Sequence, residues 1–182
     1  MIKFLTIARV LYDKGFSELV ECASYFHDSD QSIEFQWLGD IDEGYSQFVS
    51  RSEVEKYHND GIIKYLGFQP DVRKYIREAD CIILPSYHEG MSRVLMESLA
   101  MYKPIITSNI PGCKETVMNG INGFLCEPKN AKSLIFAVKN FLSLSEDEKM
   151  LMGKKSREYA ESRFDVRNVI KVYDQILNEI KK

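Results

Sequence analysis

Residues 81–97 read CIILPSYHEGMSRVLME, and the pattern predicts a strand, a loop and the first turns of a helix in that order. The run from Cys81 to Leu84 is continuously apolar, which is typical of a strand covered by helices on both faces. Pro85 should end the strand, because proline has no N–H to donate to a sheet. Apolar positions at helical spacing then predict a helix over 91–102. A strand followed by a helix is the building unit of a parallel sheet.

The same alternation of strand and helix extends in both directions from this stretch. Further strands are predicted at 4–8, 33–38, 62–66, 104–107 and 123–126. Further helices are predicted at 16–26, 43–58, 70–79, 131–142, 146–162 and 166–180, with a short helix ending at 118. We therefore predict the α/β class, with a Rossmann-like, doubly wound parallel sheet in a single domain over 1–182.

Composition limits the class of protein. At 182 residues, of which 45% are hydrophobic, the chain can build one sizeable core. The 24 Lys and Arg residues against 27 Asp and Glu residues give a net charge of -3, so we expect no nucleic-acid partner. The apolar runs fall far short of the ~20 residues of a membrane helix, and the first residues lack a secretory signal. The four cysteines are widely spaced, which predicts reduced, mostly buried thiols in the cytoplasm.

Residues 89–97 carry the clearest indication of a ligand site. Gly90 allows a ligand to approach the backbone closely. Four N–H groups would be unpaired at the start of the predicted helix: those of Met91, Ser92, Arg93 and Val94. Because unpaired N–H groups at a helix start attract anions, we predict that a diphosphate rests there.

Glu89 and Glu97 lie eight residues apart around that helix start. Glu97 would lie about two turns inside the helix, ~12 Å of axial rise from Glu89 at ~1.5 Å per residue. This spacing suits a nucleoside diphosphate sugar, because the two oxygens of a carboxylate match two neighbouring ribose hydroxyls. We assign the ribose to Glu97 and the sugar to Glu89. The alternative is that both are ordinary charges on a solvated helix, but the buried strand and Gly90 precede them in the order that a ligand loop requires.

The loops that follow the predicted strands should meet at one edge of the sheet, where such folds bind their ligands. These loops are 9–15, 39–44, 67–69, 86–90 and 108–112. In the first of them, the planar guanidinium of Arg9 can grip phosphate oxygens, and Lys14 adds a mobile charge beside Gly15. Taken alone, Arg9 and Lys14 could equally be ordinary solvated surface charges. Their interpretation as a phosphate site depends on the presence of the Glu89…Glu97 motif.

Together these motifs resemble those of a known family. The shared marks are the Arg9…Lys14-Gly15 loop, Tyr65-Leu66-Gly67-Phe68, Asp71-Val72, Ala79-Asp80, Pro85-Ser86, the Glu89…Glu97 motif, Lys103-Pro104, Pro111-Gly112 and Asn122-Gly123-Phe124. In this order the chain resembles the donor-binding, C-terminal domain of family GT4 glycosyltransferases of the GT-B fold. The resemblance covers nearly the whole chain. Ala8 and Ser92 depart from the commonest family residues, which bears on the phosphate contacts and the sugar preference.

The resemblance implies a role for each part of the site. Glu89 is the implied catalytic residue, next to the reacting carbon of the transferred sugar. The implied donor-binding residues are Arg9, Lys14 and Gly15 for the diphosphate, Leu66, Gly67 and Phe68 for the base, Gly90, Met91, Ser92, Arg93 and Val94 as phosphate-binding backbone, and Glu97 for the ribose. Because two cations and a helix end would stabilise the leaving diphosphate, we expect no metal and no cofactor.

The implied activity is retaining transfer of a hexose or N-acetylhexosamine from a nucleoside diphosphate sugar, UDP-linked in bacterial relatives of this kind. The acceptor would be a growing glycan or a polyprenyl-linked glycan. Same-face attack and a covalent intermediate both stay open. An N-terminal acceptor domain would contact helices over 146–182 and could hold the enzyme at the inner face of the membrane. The alternatives are a stand-alone nucleotide-sugar-binding module and half of a nucleotide-sugar epimerase.

Several other residues are expected to be structural. Trp37 should lie in the core instead of stacking on a base, and His88 should be an exposed loop residue. The helix predicted over 166–180 has a broad apolar face, and we expect core packing to explain most of it, with the remainder exposed for the acceptor domain.

Overall fold

Six strands form one sheet in the computed structural model, which describes residues 1–27 and 32–180. In chain order they are β1 (Ile2–Ile7), β2 (Ile33–Leu38), β3 (Lys64–Tyr65), β4 (Cys81–Leu84), β5 (Ile105–Ser108) and β6 (Gly123–Cys126). The order across the sheet is β3-β2-β1-β4-β5-β6, and every pairing is parallel. All residues of β4 are buried, as expected for a strand covered on both faces.

Helices cover both faces of this sheet. They are α1 (Phe16–His27), α2 (Arg51–Asn59), α3 (Arg73–Glu78), α4 (Arg93–Ala100), α5 (Ala131–Leu142), α6 (Glu146–Arg163) and α7 (Val166–Ile180). In one core cluster, Phe16 of α1 and Phe141 of α5 pack against the sheet. In the other, Ile76 of α3 and Leu95 of α4 pack against it. The predicted class, a doubly wound parallel α/β fold, is confirmed.

β1 is the centre of the sheet, but its two neighbours hold it differently. It is aligned with β2 from Ile2 to Ile7, whereas it is aligned with β4 only at Phe4 and Leu5. Beyond Leu5, the Thr6 hydroxyl donates to the Ile83 carbonyl at 2.8 Å. We call this boundary between β1 and β4 the β1–β4 seam.

Several predicted elements have different bounds in the structure. The helix predicted over 43–58 begins only at Arg51, because the Ser50 side chain accepts from the N–H of Glu53 and caps the helix there. Before it, Phe48 forms an isolated bridge with Leu11. The strand predicted at 62–66 is only Lys64–Tyr65, and the helix predicted from Pro70 begins at Arg73.

The expectation that core packing explains most of the apolar face of the last helix is wrong. None of the described residues of α7 is buried, and its large apolar side chains are 47–75% exposed: Val166, Val169, Ile170, Val172, Tyr173, Ile176, Leu177 and Ile180. By contrast, α6 buries Met152, Ser156 and Ala160 and packs against α4. The apolar face of α7 is therefore a surface of the described chain. Residues 181 and 182, which belong to the predicted acceptor-domain contact, lie outside the described residues.

The four cysteines are buried and free, as the sequence predicted for mostly buried thiols. Burial raises the pKa of Cys113 to about 11 and that of Cys126 to about 12. Thiols of this kind stay protonated at neutral pH and react slowly. Within the described ranges, no helix has both the length and the apolar character needed to cross a membrane.

Candidate functional site

The site lies where the loops after β1 and β4 leave the sheet side by side. The chain runs outward from β1 to β2 in one direction and from β4 to β5 in the other, so a crevice opens between these strands at their carboxyl ends. Two hydrogen bonds join the loops across it. The Tyr87 N–H donates to the Asp13 carbonyl at 2.8 Å, and the Ser86 hydroxyl donates to the same oxygen at 3.2 Å.

Gly15 allows the two loops to touch. It has a φ of +80°, and a Cβ at this position would lie 2.2 Å from the carbonyl oxygen of Pro85. A side chain would therefore both strain the backbone and collide with the loop after β4. The position of Gly15 is explained by this close approach, and its predicted contact with a diphosphate stays a prediction.

Lys14 and Glu89 form an ion pair across the crevice. Lys14 Nζ lies 2.8 Å from Glu89 Oε1 and 3.2 Å from the carbonyl oxygen of His88. The two side chains are only 18% and 17% exposed, so this pair is more shielded from water than a surface ion pair. The structure thus brings together two predicted site residues that lie far apart in the sequence.

Arg9 lies in the same loop but is held by a different part of the chain. Its Nη1 donates to Asp42 Oδ2 at 2.8 Å, and its Cζ lies 4.6 Å from the centroid of the Tyr45 ring. The Arg9 side chain is 48% exposed. Sequence reasoning selected the loop 39–44 as a ligand loop but named neither Asp42 nor Tyr45. The presence of a carboxylate in that loop was the sequence feature that could have indicated a partner for Arg9.

The start of α4 differs from the prediction in one respect. The helix begins at Arg93, not Met91, and Ser92 is its N-cap residue. The Ser92 N–H donates to the Gly112 carbonyl at 3.1 Å, so it is engaged within the ligand-free protein, and its predicted role as a phosphate-binding amide stays a prediction. Arg93 and Val94 form the first turn, where N–H groups have no carbonyl partner within the helix.

The backbone beside this helix start leaves room for a ligand. Met91 is exposed, and a Cβ built at Gly90 would meet nothing within 4 Å. The predicted phosphate contacts of Gly90, Met91, Arg93 and Val94 stay predictions.

Glu97 lines a cavity whose described lining includes neither Lys14 nor Glu89. It is exposed and lines this cavity of about 310 Å³ together with Arg157, Glu161 and Asp165. Neither Arg9 nor Lys14 is among the described residues that line this cavity. The pocket shared by Arg9, Lys14 and Glu97, which the sequence predicts, is therefore not this cavity, and the ribose contact of Glu97 stays a prediction.

The segment predicted to hold the base is partly engaged by the sheet. The Leu66 N–H donates to the Trp37 carbonyl at 2.8 Å, and the Gly67 carbonyl accepts from Gly39 at 2.9 Å. Phe68 follows with 67% of its surface exposed. These contacts place Leu66-Gly67-Phe68 at the carboxyl edge of the sheet, after the edge strand β3, and its role in binding a base stays a prediction.

The residues expected to be structural behave as expected. Trp37 is 1% exposed, and its Nε1 donates to the Ala8 carbonyl at 2.9 Å, which braces the end of β1. His88 is exposed, and its carbonyl, not its ring, contacts Lys14. Over 1–27 and 32–180, no group of three or more His, Cys, Asp or Glu residues is placed to hold a metal ion. Metal independence stays a prediction.

A family model of the glycosyl transferases group 1 matches residues 2–159. The chain belongs to this family. Within it, the GT4 resemblance and the predicted C-terminal half of the GT-B fold are confirmed.

Relatives and solved structures of this group 1 family extend along nearly the whole chain. An N,N'-diacetylbacillosaminyl-diphospho-undecaprenol alpha-1,3-N-acetylgalactosaminyltransferase of Campylobacter jejuni is 30% identical over 97% of this chain and 45% of the relative. The capsular polysaccharide biosynthesis glycosyltransferase CapM of Staphylococcus aureus is 22% identical over 97% of this chain and 46% of its own length. The chain therefore spans about half the length of these curated relatives.

The solved structures agree in fold. HepE of Anabaena, crystallised in complex with UDP, superposes with a TM-score of 0.83 at 20% identity, covering 98% of this chain and 49% of HepE. The C-terminal domain of LpcC of Francisella tularensis, a glycosyl transferase group 1 family protein, gives a TM-score of 0.78 at 18% identity. That match covers 90% of this chain and 86% of the LpcC domain.

Proposed function

We propose that this chain is the donor-binding domain of a retaining glycosyltransferase that transfers a hexose or an N-acetylhexosamine from a UDP-sugar. The observation that carries the proposal is the shielded ion pair of Lys14 and Glu89 at the switch-point crevice of the sheet. A cation for the diphosphate and a carboxylate for the sugar are thereby placed side by side. The UDP complex of HepE, whose fold this chain shares, supports a nucleotide as the ligand.

Lys14 is prepared to receive a phosphate. An ammonium group has three N–H donors, and two of them face Glu89 and the His88 carbonyl. The third remains for a ligand. When the diphosphate leaves the sugar, negative charge grows on its oxygens, and Lys14 with the first turn of α4 would stabilise that charge. Glu89 would orient the sugar or stabilise the positive charge that develops on it.

The same proposal includes an N-terminal acceptor domain and an acceptor substrate. We infer that the exposed apolar face of α7 packs against an N-terminal acceptor domain, since this face has no counterpart among the described residues that would bury it. The acceptor would be a growing glycan of bacterial polysaccharide synthesis or a polyprenyl-linked glycan, as the name of the Campylobacter relative suggests. Such an acceptor would place the reaction at the cytoplasmic face of the membrane.

The proposal predicts that calorimetric titration of the chain detects UDP binding. We expect Glu97→Ala to weaken UDP binding by about tenfold, because a carboxylate that accepts from two ribose hydroxyls is lost. The same change should leave the affinity for 2′,3′-dideoxy-UDP unaltered, since that ligand lacks the two hydroxyls. Glu158→Ala, which removes an exposed carboxylate elsewhere, is the control. Equal UDP affinity in Glu97→Ala and the unchanged chain would reject the ribose contact, and failure of the unchanged chain to bind UDP would reject the proposed function.

A second prediction concerns Asp42, which neutralises Arg9 in the ligand-free chain. If Arg9 binds the diphosphate, it must exchange the Asp42 carboxylate for phosphate oxygens. We expect Asp42→Asn to tighten UDP binding by about two- to fivefold, the range that an exposed ion pair allows. Asp71→Asn removes a carboxylate from the exposed Arg73 pair and should change nothing. Weaker binding in Asp42→Asn would show that Asp42 supports the ligand instead of competing with it.

A further inference from the structure

Tyr87 ties the loop that carries Glu89 to α1. Its hydroxyl lies 2.7 Å from both carboxylate oxygens of Glu18. Its N–H donates to the Asp13 carbonyl at 2.8 Å. The same residue is therefore anchored by its side chain and by its backbone, two positions before Glu89.

The turn between β6 and α5 also contacts the ring of Tyr87. Lys129, in the turn between β6 and α5, has its Nζ 4.9 Å from the ring centroid. Its φ of +56° is in the left-handed region, which lysine adopts only when the surroundings impose it. Burial and the Glu18 carboxylate raise the pKa of Tyr87, so its hydroxyl keeps its proton and donates.

This arrangement bears directly on where the Glu89 carboxylate lies. The loop between β4 and α4 has few other fixed points before Glu89: the Ser86 hydroxyl reaches the Asp13 and His88 carbonyls, and Lys14 reaches both the His88 carbonyl and Glu89. A hydrogen bond to a charged group holds a side chain more strongly than a neutral one. Removing it would give the backbone between Ser86 and Gly90 more freedom.

We propose that Tyr87 is a positioning residue which, by bonding Glu18, holds the Glu89 loop in the geometry that recognises the sugar part of the donor. The inference rests on the proposed function, because it takes Glu89 to face the sugar. It adds a residue to that site: Tyr87 touches no donor atom itself and acts through Glu89. The base and the Arg9 and Lys14 contacts to the diphosphate come from other loops, and the first turn of α4 begins beyond Gly90, so UDP itself should be recognised largely independently of Tyr87.

The test compares UDP with two sugar nucleotides, UDP-glucose and UDP-N-acetylgalactosamine, by calorimetric titration. In Tyr87→Phe we expect affinity for UDP to stay within about twofold, while any gain that the sugar gives falls by about five- to tenfold. Glu18→Ala should have the same effect, and the double variant should be no worse than either single variant, because both break one bond. Tyr25→Phe, which alters the contact of Lys139 with another tyrosine hydroxyl on α1, is the matched control and should bind all three ligands normally.

The possible outcomes distinguish the proposed role of Tyr87 from the roles of the other site residues. An equal loss for UDP and the UDP-sugars in Tyr87→Phe would mean that Tyr87 only supports the fold, and the inference would fall. Unchanged binding of all ligands would also overturn it. If the unchanged chain binds UDP but gains nothing from either sugar, the sugar role of Glu89 and this inference fail together, while the nucleotide site stands. If it does not bind UDP at all, the proposed function fails first.

Discussion

Replacing Lys14 with alanine should weaken UDP binding by about 30- to 100-fold, the largest functional effect that we expect from a single side chain. The substitution removes the cation nearest the proposed diphosphate. It also leaves Glu89, whose side chain is only 17% exposed, without its partner and facing the phosphates. The loss therefore combines a missing attraction with a new repulsion. Calorimetric titration with UDP, alongside thermal unfolding to show that the variant is folded, measures it.

A matched control exists at the opposite end of the sheet. Lys64 and Glu34 form a comparable Lys–Glu pair, with 3.1 Å between Nζ and Oε2, near the start of β2. Lys64→Ala removes one positive charge from the protein without touching the crevice. If Lys64→Ala weakens UDP binding as much as Lys14→Ala does, the effect is one of net charge, and the assignment of Lys14 is wrong.

The largest effect on stability should come from Gly112→Ala. Gly112 has a φ of +86°, and a Cβ there would lie 1.7 Å from the carbonyl oxygen of Gly90. The left-handed backbone and the collision together should lower the free energy of unfolding by about 3 kcal/mol or more. Because the collision is with the residue after Glu89, the variant should also bind UDP-sugars poorly where it remains folded. Urea unfolding followed by circular dichroism gives the stability.

Gly120→Ala separates the two causes. Gly120 also has a left-handed backbone, with a φ of +79°, but a Cβ there would meet nothing within 4 Å. We expect it to cost only about 1 kcal/mol, the strain of the backbone alone. If the two variants are equally stable, the close approach of Gly112 to Gly90 has no energetic weight.

Much of the fold could be predicted because the pattern of each element is local. The bounds of β2, β4 and β6 agree with the predicted strands residue for residue, since each is a short β-prone segment closed by a glycine, a proline or a charged residue. The helix predicted from residue 43 failed for a local reason as well. Ser50 is a strong N-cap that starts the helix at Arg51, and the poorly amphipathic residues before it form no helix.

The apolar face of α7 shows the limit of such patterns. Helical spacing of apolar residues identifies a face that avoids water, but it does not state what covers the face. The same spacing describes α5, which is buried against α1, and α7, which is exposed. Only the packing of whole elements distinguishes the two.

The position of Lys14 and Glu89 at one edge of the sheet could be predicted, but the contacts that they and Arg9 make could not. The alternation of strands and helices places Lys14 and Glu89 at one edge of a sheet, yet only the strand order makes β1 and β4 neighbours and lets them meet. The contact of Arg9 with Asp42 depends on the path of the loop after β2, which no periodicity describes. Tyr87 was not selected because a tyrosine in a loop has no signature of its partner, Glu18.

The β1–β4 seam has a consequence for how the protein opens. β1 is aligned with β4 only at Phe4 and Leu5, so the seam joins the two halves of the sheet by as few aligned pairs as hold the edge strand β3 to β2, and proteins open locally where contacts are few. A ligand gripped by the loops on both sides would bind only the closed form and so suppress this opening. The bound substrate would then hold the two halves of the sheet together. Protection of the β1 and β4 amides from hydrogen exchange should therefore increase as the site is occupied and decrease as the substrate leaves.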